Sequence, residues 1–199
     1  IATNNVNSDF SAAYIGAVGG FAENLHIENL TVTNPHIEII GLTDSIKNNN
    51  MYVGGLFGYG SISSIYSSTN ISLVSPVIIL DVDFEAGYYD TMAIGSAFGK
   101  IVNTDSSSAS ASDSEGFALT DLTVTNPNLN ITVEAVDIAP DADGNTKAFA
   151  NFNTIGIGGA FGLAEGLEQS RLFTIQNISI VKNDAVAGTT AFNIVNNGV

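Results

Sequence analysis

One acidic segment has the residue types and spacing that could bind a divalent cation. The run Leu80–Glu85 alternates apolar and acidic residues, so Asp81, Asp83 and Glu85 are predicted to share the outer face of a strand. Their side chains would follow one another at steps of ~6.5–7 Å. Carboxylate oxygens in such a row could bind Ca²⁺ or the hydroxyls of a saccharide. A solvated strand face that discourages edge pairing is the simpler explanation.

A second oxygen-rich segment contains part of the pattern of a calcium loop. Asp141, Asp143 and Asn145 surround the sequence Asp-Ala-Asp-Gly-Asn, which supplies carboxylate and amide oxygens around a turn. The spaced bidentate glutamate of a complete loop is absent, and an ordinary Asp-Gly turn has the same composition. Calcium is therefore the one cofactor that the sequence suggests, and no other cofactor is predicted.

Residue types and spacing suggest two further functions, ice binding and polysaccharide cleavage. The segments Thr31–Thr33 and Thr123–Thr125 each place two threonines on one strand face, as in flat ice-binding arrays, but the equivalent segments Ser72–Val74 and Ser179–Val181 interrupt the array. Threonine is also a common strand residue. A polysaccharide-active enzyme would need a basic residue in a carboxylate-lined cleft, and Arg171 is the sole arginine. No Gly-x-Ser-x-Gly elbow is present, so we expect no catalytic activity.

An imperfect repeat must position all of these residues. Its glycine-rich half reads Val18-Gly-Gly-Phe-Ala22, Val53-Gly-Gly-Leu-Phe-Gly58, Ile94-Gly-Ser-Ala-Phe-Gly99 and Ile157-Gly-Gly-Ala-Phe-Gly162. Its second half reads Asn29-Leu-Thr-Val-Thr-Asn-Pro35, Asn70-Ile-Ser-Leu-Val-Ser-Pro76, Asp121-Leu-Thr-Val-Thr-Asn-Pro127 and Asn177-Ile-Ser-Ile-Val-Lys-Asn183. Such self-similarity is the signature of a repeat architecture.

Apolar columns appear when the copies are aligned on the Asn or Asp that begins the second half, and the column furthest from it contains Leu42, Val82 and Val133. Period-2 alternation follows that residue, which predicts strands with one buried face. The inward parity before it differs from the parity after it, and a strand changes parity only at a bend or bulge. We therefore predict a corner with left-handed backbone at Asn29, Asn70, Asp121 and Asn177.

The spacing of the copies indicates the fold class. Successive corners lie 41, 51 and 56 residues apart, which suits a rung of about three strands with loops of variable length. The prediction is an all-β chain, a short parallel β-helix (β-solenoid) of about four rungs, ~20 Å tall at a strand spacing of ~4.8 Å.

The sequence Val53-Gly-Gly-Leu-Phe-Gly-Tyr59, followed by Ser61–Tyr66, resembles the GLUG repeat, and weaker copies occur at Gly158–Gly162 and Val18–Phe21. GLUG repeats occur in tandem in large surface-exposed and secreted microbial proteins. The resemblance implies a surface β-solenoid, and it brings no catalytic residues to this chain.

Composition excludes several partners. The net charge is −15, with five lysines and arginines in 199 residues, so neither nucleic acid nor an anionic membrane is an expected partner. No apolar run approaches the ~20 residues needed to span a bilayer, and cysteine is absent. The first residue is Ile1 rather than methionine, which suits a mature or excised product. We expect an extracellular or cell-surface location.

The terminal segments are predicted to handle the open ends of the solenoid. Residues 1–12 form a cap or arm, residues 13–183 form the solenoid with a Ser/Asp-rich loop at 104–116, and residues 184–199 form a capping or exchange strand. A solenoid leaves an unpaired strand ladder at each end, which needs a cap or a partner. The candidate assembly residues are Ile1, Val6, Phe192, Ile194 and Val195.

The sequence favours a non-catalytic extracellular structural or adhesive subunit that self-associates into a filament, a surface array or an adhesin stalk. Head-to-tail contact between prisms does not close and so gives filaments. The alternatives are a glycan- or ice-binding surface module, with or without dependence on calcium, and, with least support, a polysaccharide-active β-helix enzyme.

Overall fold

The structure is a computed structural model that describes residues 2–3, 12–43, 50–62, 68–85, 87–103, 117–136, 150–166, 173–185, 187–188 and 190–197. All regular structure in these ranges is β-strand. The strands are β1 (Ala2–Thr3), β2 (Ala12–Gly16), β3 (Gly19–Ala22), β4 (Glu28–Thr33), β5 (His36–Thr43), β6 (Asn50–Gly54), β7 (Phe57–Ile62), β8 (Ser68–Val74), β9 (Val77–Glu85), β10 (Gly87–Gly95), β11 (Phe98–Asn103), β12 (Phe117–Thr125), β13 (Asn128–Val136), β14 (Ala150–Gly158), β15 (Phe161–Gly166), β16 (Phe173–Val181) and β17 (Ala191–Asn197).

The strands form four parallel sheets that the chain visits in turn. Sheet A has the order β1-β5-β9-β13-β17, sheet B β14-β10-β6-β2, sheet C β15-β11-β7-β3 and sheet D β16-β12-β8-β4. Each circuit runs through sheets B, C, D and A, so β2–β5 form the first rung, β6–β9 the second, β10–β13 the third and β14–β17 the fourth. The predicted parallel β-helix of four rungs is confirmed.

Each rung contains four strands rather than about three. The glycine-rich half of the repeat supplies two of them, because β6 ends at Gly54 and β7 begins only three residues later, at Phe57. A turn this tight is possible because Gly54 has no side chain. A Cβ there would collide with the carbonyl oxygen of Phe57 and lie 2.6 Å from the amide nitrogen of Gly99. Gly95 meets the equivalent backbone atoms in its rung, and a Cβ at Gly158 would collide with the carbonyl oxygen of Phe161.

Two hydrophobic cores fill the prism. Sheets A and B enclose one core, formed by the inward columns of β5, β9 and β13 against those of β6 and β10, and sheets C and D enclose the other. The A/B core includes Ile37, Ile39, Met51, Val53, Ile78, Leu80, Val82, Phe84, Met92, Ile94, Leu129, Ile131 and Val133. The C/D core includes Leu56, Phe57, Ile71, Leu73, Phe98, Ile101, Leu119, Leu122 and Val124. The period-2 alternation seen in the sequence therefore corresponds to buried columns.

The predicted change of inward parity occurs, but inside a sheet rather than at a corner between sheets. The backbone is left-handed, with φ between 55° and 57°, at Asn29, Asn70, Asp121 and Asn177. These residues lie within the strands of sheet D and are absent from its pairing register, so the strands share a bend at the same position in every rung. The prediction of left-handed backbone is confirmed, and the prediction of a corner is wrong.

The corners from sheet D to sheet A lie instead at the residue before each proline. Asn34, Ser75 and Asn126 have φ values of 51°, 50° and 49°, and each donates its backbone N–H to a carbonyl of the next rung. In the fourth rung the longer connection from β16 to β17 folds back on this corner. Asn126 exchanges two hydrogen bonds with Asn183, through Oδ1 and Nδ2. These bonds tie the last rung to the corner of the third.

One column was assigned one residue out of register. The sequence aligned Leu42 with Val82 and Val133, whereas the structure pairs Gly41 with Val82 and Leu42 with Asp83. Gly41 has a φ of 143°, a backbone conformation that glycine adopts without strain.

Candidate functional site

The end face of the fourth rung exposes side chains whose equivalents are buried elsewhere. Ile155 continues the column of Met51 and Met92 and is 40% exposed, whereas both methionines are buried. Ile180 continues the column of Leu73 and Val124, and it is 46% exposed. The rung therefore ends in an open core rather than in a polar surface.

Strand β17 also contributes to this open face. It pairs with β13 along Ala191–Asn197, in parallel and at seven consecutive positions. Phe192 and Ile194 lie in inward columns and are 47% and 49% exposed, and Val195 is also exposed. Among the described strands, β14, β15, β16 and β17 have no neighbour on their outer edge. Their outer backbone groups can accept another layer of strands.

At the end of the first rung, a further strand covers sheet A, and none of the described strands covers sheets B, C or D. Strand β1 pairs with β5 at two positions, Ala2 with Glu38 and Thr3 with Ile39. Ile37 and Ile39 are buried even though they lie in the end rung. The outer edges of β2, β3 and β4 have no partner among the described strands.

The open part of the first rung is apolar where sheet B turns into sheet C. Tyr14, Val18 and Phe21 are exposed there, and Ile40 is exposed on the outer face of sheet A. Every exposed large hydrophobic side chain in the described ranges lies in the first or the fourth rung: Tyr14, Val18, Phe21, Ile40, Ile155, Ile180, Val181, Phe192, Ile194 and Val195. The two ends are therefore the candidate functional surfaces of the molecule.

The two ends differ in charge. The first rung contains Glu23, Glu28 and Glu38 and has neither lysine nor arginine between residues 12 and 43. In the fourth rung, Glu165 forms an ion pair with Lys100 of the third rung, with 2.8 Å between Oε2 and Nζ. Lys182 forms an ion pair with Asp184, with 2.8 Å between Nζ and Oδ1. The first-rung face is thus acidic, with His26 Nε2 3.5 Å from Glu28 Oε1, whereas the charged side chains described in the fourth rung are all paired.

Asparagine ladders run along the solenoid with a fixed direction. Asn70 Nδ2 donates to Asn29 Oδ1 at 2.6 Å, and Asn177 Nδ2 donates to Asp121 Oδ1 at 2.9 Å. In both cases the later rung donates to the earlier one. A second ladder in sheet A has the same direction, because Asn193 Nδ2 donates to Asn130 Oδ1 at 2.8 Å. The ladders distinguish one end of the solenoid from the other.

An aromatic cluster fills the narrow space between sheets B and C. Tyr52 packs against Tyr14 and Tyr59 with ring centroids 5.5 and 5.7 Å apart, and Lys100 Nζ lies 5.4 Å from the centroid of the Tyr52 ring. Burial, with a contribution from Tyr14, raises the pKa of Tyr52 to about 12. Tyr52 is therefore a neutral phenol at neutral pH. It acts here as packing rather than as an acid or a nucleophile.

The predicted calcium residues are only partly described. Asp81 and Asp83 lie on the outer face of β9, while Leu80, Val82 and Phe84 are buried, as the alternation predicted. Within the described ranges, no three His, Cys, Asp or Glu side chains are grouped closely enough to hold a metal ion. The side chain of Glu85 and the residues Asp141, Asp143 and Asn145 lie outside the described part, so calcium binding stays a prediction.

The remaining site predictions divide in the same way. Phe192 and Ile194 lie on the fourth-rung face and Val195 lies on the outer face of sheet A, whereas Ile1, Val6 and Arg171 are outside the described residues. The threonine columns of sheet D continue through Ser72, Ser179, Val74 and Val181, so the polar array is interrupted. None of the described segments forms an apolar helix of bilayer-spanning length.

The sequence reasoning missed Ile155 and Ile180. They carry no local signal, because each looks like any other member of an inward column. The available signal was their place in the last of the four copies of the repeat, whose columns have no further member among the described strands.

Comparisons with protein-family models, with curated proteins and with solved structures found no match to this chain. The likeness to GLUG repeats therefore rests on the glycine motif alone.

Proposed function

We propose that the protein is a non-catalytic structural subunit that associates with further copies through the ends of its solenoid, forming a filament or surface array. The observation that carries this proposal is the confinement of exposed large hydrophobic side chains to the first and fourth rungs of the described structure. A face made of inward columns exposes apolar side chains and also leaves the backbone hydrogen-bonding groups of its strand edges unpaired. Covering it with another rung removes apolar surface from water and pairs the strand edges.

The extracellular or cell-surface location belongs to the same proposal. Its supports are the resemblance of Val53–Tyr59 to a repeat of surface proteins and a strongly acidic composition. An acidic lateral surface keeps the sides of neighbouring subunits apart, which leaves the ends as the surfaces of contact. An adhesive role would follow from display of such assemblies on a surface.

The test compares two lysine substitutions on adjacent residues of β16. Ile180→Lys places a charge in an inward column of the fourth-rung face, whereas Ser179→Lys adds the same charge to the outer face of sheet D. Sedimentation velocity over a concentration series, with negative-stain electron microscopy, should show assembly of the parent and of Ser179→Lys and loss of assembly in Ile180→Lys.

Salt provides a second readout. Raising the ionic strength shortens the Debye length to ~8 Å near physiological salt, which weakens repulsion between chains of net charge −15 and should promote assembly. A parent protein that stays monomeric at every concentration and salt condition would overturn the proposal. That result would favour the glycan- or ice-binding alternative, which predicts a monomer.

A further inference from the structure

We infer that copies of this chain stack head to tail, and that β17 of one copy takes the place of β1 on the next copy. The inference rests on the proposed function and specifies its interface. Strand β1 is then a displaceable cap on sheet A of the first rung. The occupant of both open ends is a second copy of the chain, in the register that already relates one rung to the next.

The first argument is the difference in pairing capacity. Among the described residues, β1 pairs with β5 at two positions, whereas β17 pairs with its neighbour β13 at seven. Strand β5 spans eight residues, His36–Thr43, and it pairs with β9 in the same register as β13 does. A neighbouring β17 would therefore form more ladder hydrogen bonds on β5 than β1 does.

The second argument is the continuation of the inward columns. In this register, Phe192 of one copy lies over Ile37 of the next, and Ile194 lies over Ile39. Displacing β1 uncovers the edge on which these two side chains would pack. The fourth-rung face that is half exposed in the single chain would then be buried as its equivalents are in the inner rungs.

Side-chain size is complementary where sheet B meets sheet C. The column of Tyr14 and Tyr52 continues as Ala93 and Gly156, so it passes from large to small along the solenoid. Head-to-tail stacking places the exposed ring of Tyr14 next to Gly156 of the neighbouring copy. The edges of β2, β3 and β4 would meet β14, β15 and β16 of that copy in their own sheets, and each is open among the described strands.

The polar columns also match in this direction. Since later rungs donate to earlier ones, Asn177 presents Oδ1 to the next copy and Asn29 presents Nδ2 to the previous one. Gln176 continues the column of Glu28, Thr69 and Thr120, so its amide can donate to the Glu28 carboxylate of the neighbouring copy. A contact between two fourth rungs would instead point amide oxygens at each other.

Charge opposes the remaining arrangement. Two first-rung faces would bring three glutamates on each copy towards one another without a compensating lysine or arginine. Head-to-tail contact places those glutamates against a face whose described charges are paired. Of the three end-to-end arrangements, only head-to-tail satisfies the columns, the ladders and the charges together.

The polarity can be tested by thiol crosslinking, because the chain contains no cysteine. Thr31 and Ser179 are exposed members of one column in the first and fourth rungs. Head-to-tail stacking would bring them ~4.8 Å apart across the interface, within reach of a short bifunctional crosslinker. A mixture of Thr31→Cys and Ser179→Cys should give covalent dimers, each variant alone should give none, and the double variant should give a ladder of multimers.

The outcomes separate this inference from the proposed function. Covalent dimers of Ser179→Cys alone, or of Thr31→Cys alone, with assembly intact by sedimentation, would overturn head-to-tail stacking and leave the proposed function standing. Failure of the parent to assemble would overturn both.

The displacement of β1 needs its own variant. Ala2→Cys with Glu38→Cys joins β1 to β5 at paired positions in the full chain. Oxidation of this variant should abolish assembly, and a reductant should restore it to the level of the parent. The single variants, treated in the same way, should assemble under both conditions. Undiminished assembly of the crosslinked form, with its thiols shown to be consumed, would overturn the exchange of β1 for β17.

Discussion

At Gly54 the fold requires the glycine of the repeat motif, because a side chain there would collide with backbone atoms. A Cβ at this position would meet three backbone atoms from two rungs, the carbonyl oxygens of Phe57 and Ala97 and the amide nitrogen of Gly99. None of these atoms can rotate away as a side chain can, so Gly54→Ala must move a strand. Overpacking of this kind typically costs about 1–3 kcal/mol, and contact with backbone alone places the expected loss near the upper limit, ~3 kcal/mol.

The matched control is Gly60→Ala on the following strand. A Cβ there would lie 3.3 Å from Leu25 Cδ2 and 3.9 Å from Phe98 Cδ1, and these side chains can adjust. The added methyl also restricts the unfolded chain, which stabilises by about 0.4–1 kcal/mol. We expect the free energy of unfolding of Gly60→Ala to lie within about 1 kcal/mol of the parent.

Thermal unfolding followed by circular dichroism distinguishes the two variants. For a chain of this size, 1 kcal/mol corresponds to a shift of about 2–4 °C in Tm, so Gly54→Ala should unfold ~6–12 °C below the parent and Gly60→Ala within ~4 °C of it. Equal Tm values for the two variants would refute the argument that the tight turn between sheets B and C excludes a side chain.

Three further predictions follow from single features of the structure. Asn70→Ala should lose ~1–2 kcal/mol more stability than Asn70→Gly in urea denaturation, because both remove the bond to Asn29 and only alanine is strained at a φ of 55°. Stability should fall as the pH rises from 10.0, the pKa expected for Tyr52 in the unfolded chain, to about 12, its folded value. Tyr52→Phe should show a smaller fall in that window and should lack the last phenolate step in an ultraviolet titration. Leu122→Ala should lose ~2–5 kcal/mol, since Leu122 is fully buried in the C/D core, and a loss below 1 kcal/mol would contradict that packing.

The second half of the repeat was predictable because its signal is local. Alternation over the residues after Asn70 specifies one buried face, and the parity change at Asn70 specifies a bend. Both are properties of neighbouring residues in one strand. The position of that bend, inside sheet D rather than between two sheets, depends on where the chain next turns. The chain turns at Ser75, where the backbone is left-handed although serine is not a residue type that indicates this conformation.

The glycine-rich half was harder to interpret because glycine has no side chain and so adds nothing to the alternation of apolar and polar residues. Between Tyr52 and Tyr59 the chain forms the end of one strand, a turn and the start of another. Without side chains at Gly54, Gly55 and Gly58 there is no alternation to count, so two strands look like one loop. The same loss explains the register error at Gly41, where a column position has no side chain.

The candidate site was the least predictable feature because exposure at an end is a property of position in the stack. Met92 and Ile155 occupy the same column, and their sequence contexts differ little, yet one is buried and the other is 40% exposed.

A solenoid builds its core by repeating one interface, so each rung can pack against another rung on both sides. The first and last rungs of a stack each have one side that no other rung of that stack covers. Evolution can blunt such a surface with a cap or use it for a partner. In the described residues, a two-residue strand covers sheet A of the first rung, and an apolar face is exposed on the fourth rung. In the exchange that we propose, a long strand of matching register would replace this short one, so each contact between copies would form more pairs than it breaks.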